Sequence, residues 1–148
     1  MANLAKNKKA FHDFIVTDTY EAGISLQGTE VKSCRSHSIS FVDSHAKVVK
    51  GEVLLCNVHI SPYDKGNRNN HDPKRVRKLL LHKSEIRKLS TATQAKGLTL
   101  VPLSFYLKKG RIKVSLGVCK GKRISDKRET LKKQQVQKDL RRVLSRKT

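Results

Sequence analysis

The sequence predicts a mainly β fold: a small antiparallel barrel of about six strands, with flanking helices and a basic C-terminal tail. Three observations carry the prediction. Apolar and polar residues alternate with period two in several short segments, the mark of half-buried strands. Two joints between such segments, Lys50-Gly51 and Lys108-Lys109-Gly110, have tight-turn composition. After Val118 the alternation stops, and the chain turns polar and basic to its end.

Taken in order, residues 1–10 read as a short basic lead-in. Residues 11–19 alternate and are rich in aromatic and β-branched types, so they read as a strand. Gly23 and Gly28 bracket a second short strand, with a turn or bulge at Gly28. Residues 30–35 suit the start of a short helix. Residues 39–49 and 52–60 form an expected hairpin, which Pro62 closes. Residues 64–75, rich in Asn, Gly and Pro, have the composition of an exposed, mobile loop. After the RKLLL run of 77–81, Ser84 is the expected cap of a helix through Ile86, Leu89, Ala92 and Ala95, with Gly97 as its C′ residue. Residues 98–107 and 111–118 make a second hairpin, and Pro102 places an edge or a bulge in its first strand. An OB-like barrel fits this length, although strand count alone does not separate it from other small barrels. The domain division read from these patterns is a barrel over 1–121 and a tail over 122–148. The tail holds 11 Lys/Arg and 3 Asp/Glu, with a weak helical stripe, and is expected to be disordered when free and helical when bound.

Over the 148 residues, 33 Lys/Arg stand against 12 Asp/Glu, a formal charge of +21. Such an excess repels itself unless a polyanion takes it up. Nucleic acid is the first partner to consider, anionic membrane the second and small acidic substrates the third. No segment has the length and apolarity of a spanning helix or a signal-peptide core, so no membrane partner is expected. Cys34, Cys56 and Cys119 are odd in number and lack CxxC spacing. They read as reduced thiols in or near a core, which argues for a reducing cytoplasm.

Catalytic patterns do not emerge. Six histidines are scattered without ligand spacing and read as solvent-facing or strand-edge residues. There is no nucleophile elbow or phosphate-binding loop, and Asp43 and Asp72 form no obvious carboxylate pair. No catalytic residue, metal or cofactor is expected. The basic clusters Lys74, Arg75, Arg77 and Lys78, and Lys120, Gly121, Lys122 and Arg123, read instead as phosphate contacts. With aromatics at 5%, base stacking would be sparse, so a structured RNA read by shape and phosphate fits best.

Four segments together, AGISLQGTEVKSCR (22–35), RKLLLHKSEI (77–86), GLTLVPL (97–103) and GVCKGKRISDKRE (117–129), resemble the SsrA-binding protein (small protein B) family of bacterial trans-translation. The match runs in order over essentially the whole chain. The resemblance implies an OB-like barrel that binds the tRNA-like domain of transfer-messenger RNA. It also implies delivery of that RNA, with elongation factor Tu, to stalled 70S ribosomes. Asn7, Glu21 and Leu80 match family positions on the RNA-holding face, and Lys120, Gly121 and Lys122 match a segment implicated in the same contact. Read bottom-up, the lesser alternatives are Leu80 as core and Glu21 as a turn carboxylate. Asp126, Lys127 and Arg128 match the tail motif that acts at the decoding centre, next to small-subunit RNA. Ser125 stands where family members commonly carry an aromatic or histidine, so a hydroxyl takes the place of a stacking ring. A monomer is expected. The competing readings are a basic ribosomal protein held permanently in a subunit and an OB-fold nuclease. The nuclease would need metal-binding carboxylates or a general base, and the sequence presents no pattern for either.

Overall fold

The computed structural model describes residues 2–65 and 70–121. Among these residues, nine strands form: β1 (Ala2–Lys6), β2 (Phe14–Ile24), β3 (Ile39–Ser40), β4 (His45–Val49), β5 (Glu52–Cys56), β6 (His59–Ile60), β7 (Arg77–Leu80), β8 (Thr99–Lys108) and β9 (Arg111–Gly121). Three helices accompany them: α1 (Lys8–Asp13), α2 (Gly28–Arg35) and α3 (Lys83–Gln94). Six strands close into a ring in the order β8-β4-β5-β7-β2-β9, with β9 returning to β8 and β1 added outside β8. Every pairing is antiparallel. The expected mainly β architecture, six strands with flanking helices, is the one the chain adopts.

The ring holds one main core. Val53, Leu55, Leu79, Leu100, Phe105, Val114 and Leu116 fill it, each at most 1% exposed. Phe41 packs edge-on against Phe105, with ring centroids 5.7 Å apart. From α3, Leu89 is fully buried in this core, and Ile86 and Ala92 pack beside it. A smaller cluster of Ala10, Val101, Leu103 and Cys119 lies under α1, with Phe14 and Val16 against it. Both hairpin turns are two-residue turns with positive φ at each position: Lys50 (50°) and Gly51 (77°), Lys109 (51°) and Gly110 (76°). This is the primed geometry that matches strand twist.

Several boundaries differ from the sequence reading. The N-terminal lead-in is ordered structure: β1 pairs with β8 from Ala2↔Leu107 to Lys6↔Ser104. Asn7 caps α1, so Phe11 is helical rather than the start of a strand. The short strand expected between Gly23 and Gly28 does not form: β2 runs through Gly23 and ends at Ile24, and residues 25–27 lead directly into α2. Strand β2 pairs along β9 from Phe14↔Gly121 to Gly23↔Lys113 and then with β7, with its bulge between Val16 and Asp18. Gly28 opens α2 instead of bending a strand. The 39–60 hairpin is interrupted near Asp43 and Asn57, both at positive φ. Its outer ends pair separately as β3 and β6. His82, not Ser84, caps α3, and the Glu85 carboxylate accepts the His82 backbone N–H at 3.0 Å.

The sheet also runs past the expected stop at Val118. Cys119, Lys120 and Gly121 pair with Val16, Ile15 and Phe14, and Cys119 is fully buried under α1. Alternation breaks there because the two faces of β9 meet different packing partners. Pro102 does mark a bulge, between Pro102 and Ser104, with the Asn7 side-chain amide donating to its carbonyl at 2.8 Å.

Candidate nucleic-acid interface

The outer face of the β8-β9-β2-β7 ribbon gathers most of the described candidate residues. On β2, Ala22 is fully buried, so its neighbours Glu21 and Gly23 point outward. Gly23 stands opposite Leu80 on one side and Lys113 on the other. A Cβ at Gly23 would lie 3.2 Å from the Leu80 Cβ, so the glycine lets that side chain lie flat across the strand. Leu80 is 51% exposed, which settles its alternative reading as a core residue. Lys78, also outward on β7, bonds Glu52 at 2.8 Å; both side chains are about half exposed, so the pair contributes little.

Glu21 is held in place. The Tyr106 hydroxyl donates to its carboxylate at 2.6 Å, and Lys108 Nζ donates at 3.1 and 3.2 Å. The Tyr106 bond first, then Lys108, holds the Glu21 carboxyl below the usual carboxylate range. Desolvation and the same carboxylate push the Tyr106 hydroxyl well above its ordinary value. The result is a fixed anion and a neutral phenol on a face otherwise rich in lysine. A carboxylate there repels phosphate and accepts N–H donors, which the edge of a base supplies.

Asn7 is nearly buried, at 7%, and serves the fold: its backbone N–H donates to Leu103 O at 2.8 Å and its Oδ1 accepts from Ala10 N at 3.2 Å. It therefore sets where α1 lies on the ribbon. Lys120, half-buried, and Gly121, exposed, lie at the far end of the β2–β9 ladder, seven residues of β2 away from Glu21. At strand rise that is roughly 20 Å. The candidates thus spread along the ribbon rather than into one pocket, and alternation from Cys119, which packs under α1, turns the Lys120 side chain to the face opposite Glu21. Nothing within 4 Å would meet a Cβ at Gly121, so packing inside this chain does not call for glycine there.

Arg77 corrects the sequence reading. It is fully buried, its Nε bonds Glu30 at 2.5 Å, and its remaining N–H groups donate to the Val58 and Pro73 carbonyls at 2.7 and 3.0 Å. Arg75 joins the same carboxylate at 2.6 Å. On a strand, Arg77 falls on the inward face with Leu79, while Lys78 and Leu80 face out. Its charge is spent on a buried carboxylate, so it cannot reach phosphate. The 64–75 segment is correspondingly pinned at its C-terminal end. There the buried His71 bonds Thr29 and the Ile60 carbonyl, each at 2.8 Å, against the expectation of solvent-facing histidines.

The SmpB protein family model matches residues 4–146. This chain belongs to the SmpB family. Among curated relatives it is 56% identical over 140 residues to the SsrA-binding protein of Geobacillus kaustophilus, covering 95% of this chain and 90% of that one. It is 54% identical over 140 residues to that of Bacillus subtilis, with the same coverage. It is also similar to a chain in a solved structure described as "tmRNA-SmpB: a journey to the center of the bacterial ribosome". There the TM-score is 0.71 at 48% identity, over 86% of this chain and 93% of that one.

Within this SmpB chain, sequence reasoning passed over Tyr106, Lys108 and Lys113. They reach the Glu21 face only through the β8–β9 and β2–β9 registers, and the strand alternation of 98–107 was the one available signal. Lys122, Ser125, Asp126, Lys127 and Arg128 lie outside the described residues. Cys34, Cys56 and Cys119 are free and buried. Burial pushes the Cys34 thiol up to about 12 and the Cys119 thiol to about 11, which suits inert packing residues. Among the described residues, no group of three or more His, Cys, Asp or Glu could hold a metal ion, and no helix is long and apolar enough to cross a membrane.

Proposed function

We propose that this protein is a non-catalytic RNA-binding adaptor of ribosome rescue. It binds the tRNA-like domain of transfer-messenger RNA and travels with it to stalled ribosomes in the cytoplasm. The observation that carries the reading is the 48% identity and TM-score of 0.71 to a chain from a tmRNA-SmpB ribosome structure, over 86% of this chain. The β2–β9 ribbon is the RNA contact: Glu21 and Leu80 meet bases and sugars, while Lys78, Lys113, Lys120 and Lys122 neutralise phosphates. Open space at Gly121 leaves room for a phosphate to approach the backbone. Asn7 acts by holding α1 in place. The chain divides at 121/122, and the segment beyond, with Ser125, Asp126, Lys127 and Arg128, enters the vacant mRNA channel at the decoding centre. Elongation factor Tu is engaged through the RNA, and the chain acts as a monomer.

The test is binding to a transcript of the tRNA-like domain with elongator tRNA as competitor, at about 150 mM salt, where generic charge attraction is screened. Tight binding that excess tRNA does not displace is the expected result. Equal displacement by tRNA would make the charge generic and favour a permanent ribosomal protein.

A further inference from the structure

A shallow groove beside Glu21 offers chemistry that phosphate contact does not use. Its floor is Leu103. Its rim brings Phe11 of α1 together with Lys6 of β1 and the polar Asn3, Thr19, Ser104 and Ser115, around a volume of about 220 Å³. Phe11 is 50% exposed and is the only aromatic among the exposed large hydrophobic residues of the described chain. In a protein with 5% aromatic content, this ring stands outside both cores and beside a row of polar side chains. Helix geometry explains the display: Ala10 points into the cluster under α1, and Phe11, one step round the helix, points away from it. Lys6 Nζ sits 5.9 Å from the ring centroid, at the outer limit of a cation–π contact, so little holds it there.

The groove thus presents an open aromatic face, a row of small donors and acceptors, and a loosely held cation. An unpaired nucleotide offers the complement: a π face, a polar edge and a phosphate. An aliphatic side chain of a protein partner would use the ring but leave the hydroxyls and the amide without partners. Position agrees, since Ser115 is the register partner of Glu21 and Thr19 lies two residues along the same strand. We propose that this groove receives one unpaired base of the bound RNA, stacked on Phe11 with its polar edge toward Thr19, Ser104 and Ser115. Lys6 exchanges the ring for the adjoining phosphate. The proposal rests on the RNA-binding reading above and adds a base-reading subsite to it. It also fits the low aromatic content, since one platform suffices.

The experiment measures binding of the full-length protein to a tRNA-like-domain transcript carrying 2-aminopurine at each unpaired position in turn. Phe11→Ala should weaken binding about 5- to 150-fold, the range for removing one stacked base, while leaving the salt slope unchanged. Phe11→Tyr, which keeps the π face, should bind within about twofold of the parent. One 2-aminopurine position should be quenched by the parent and by Phe11→Tyr, and not by Phe11→Ala. Because Phe11 is half exposed, both variants should melt with the parent, which separates this effect from misfolding. If the parent binds tightly and Phe11→Ala binds equally well with no position-specific quenching, the base site is wrong and the adaptor reading stands. If the parent fails to bind the transcript in preference to tRNA, the adaptor reading falls and the base site with it.

Discussion

Glu21 is a carboxylate on a lysine-rich face, and its persistence there depends on Tyr106 and Lys108, 85 and 87 residues away in sequence. The Tyr106 hydroxyl is the larger influence, so Tyr106→Phe should raise the carboxyl's titration point toward the ordinary range. Following the Glu21 side-chain carbon by NMR across pH would show it; an unmoved titration would leave Lys108 as the sole anchor. Gly117 makes a different demand. A Cβ there would come within 2.9 Å of Leu103 Cδ1, in the packed cluster under α1. Gly117→Ala should therefore cost about 1–3 kcal/mol in urea unfolding, as overpacking does; a neutral result would mean that Leu103 moves aside freely. At this scale the sequence spoke unevenly. Glu21 and Leu80 stood out through the family motifs, but nothing local distinguished Arg77 from Lys78. The two are adjacent cations, and strand alternation sent one into the core and the other to solvent.

Among the elements, α2 is tied to the ring by charge. Glu30, fully buried in its first turn, accepts from the Gln27 backbone N–H at 2.8 Å and pairs with Arg75 and Arg77. Burial drives its carboxyl upward, but the bonds from Arg75, Gln27 and Arg77 outweigh that and hold it below the ordinary value. A folded value below the unfolded one means that the unfolded chain takes up the proton first as pH falls. The stabilisation is therefore complete above the ordinary glutamate range near pH 4.3 and is lost as acid titrates through the lower, folded value. Glu30→Gln should lower stability at pH 7 by about 3–5 kcal/mol, because Arg77 keeps a buried charge without its counter-ion. It should also flatten the fall in urea midpoint as pH drops through and below the ordinary glutamate range. Equal pH dependence in both proteins would remove Glu30 from the acid response. The hairpin turns were legible because Lys50-Gly51 and Lys109-Gly110 carry their conformational signal locally. The length of β2 was not, because it depends on β9 and β7 flanking it.

For the whole molecule, the ring closes without any residue after Gly121, since β9 ends against Phe14 at the start of β2. Cutting the chain after Lys122 should therefore leave thermal stability and RNA affinity largely intact while abolishing peptide tagging on ribosomes. A parallel drop in affinity and tagging would show that barrel and tail do not divide there. Removing charge at Lys120 and Lys122 should lower the log–log salt slope of RNA binding by about 0.7–0.9 for each phosphate no longer neutralised. An unchanged slope would take both lysines out of the interface.

By itself the sequence determined the class of partner, the family, the alternating strands and their tight turns. Net charge, period-two patterning and turn chemistry are local or additive properties, and they survive without coordinates. Only the tertiary structure decided which side of each strand meets water, and so made Arg77 a buried counter-ion and Leu80 a surface residue. The same holds for the assembly of Glu21, Tyr106 and Lys108 and for the groove at Phe11. These arise from register between strands far apart in the chain, and a shift of one residue would turn each side chain to the opposite face.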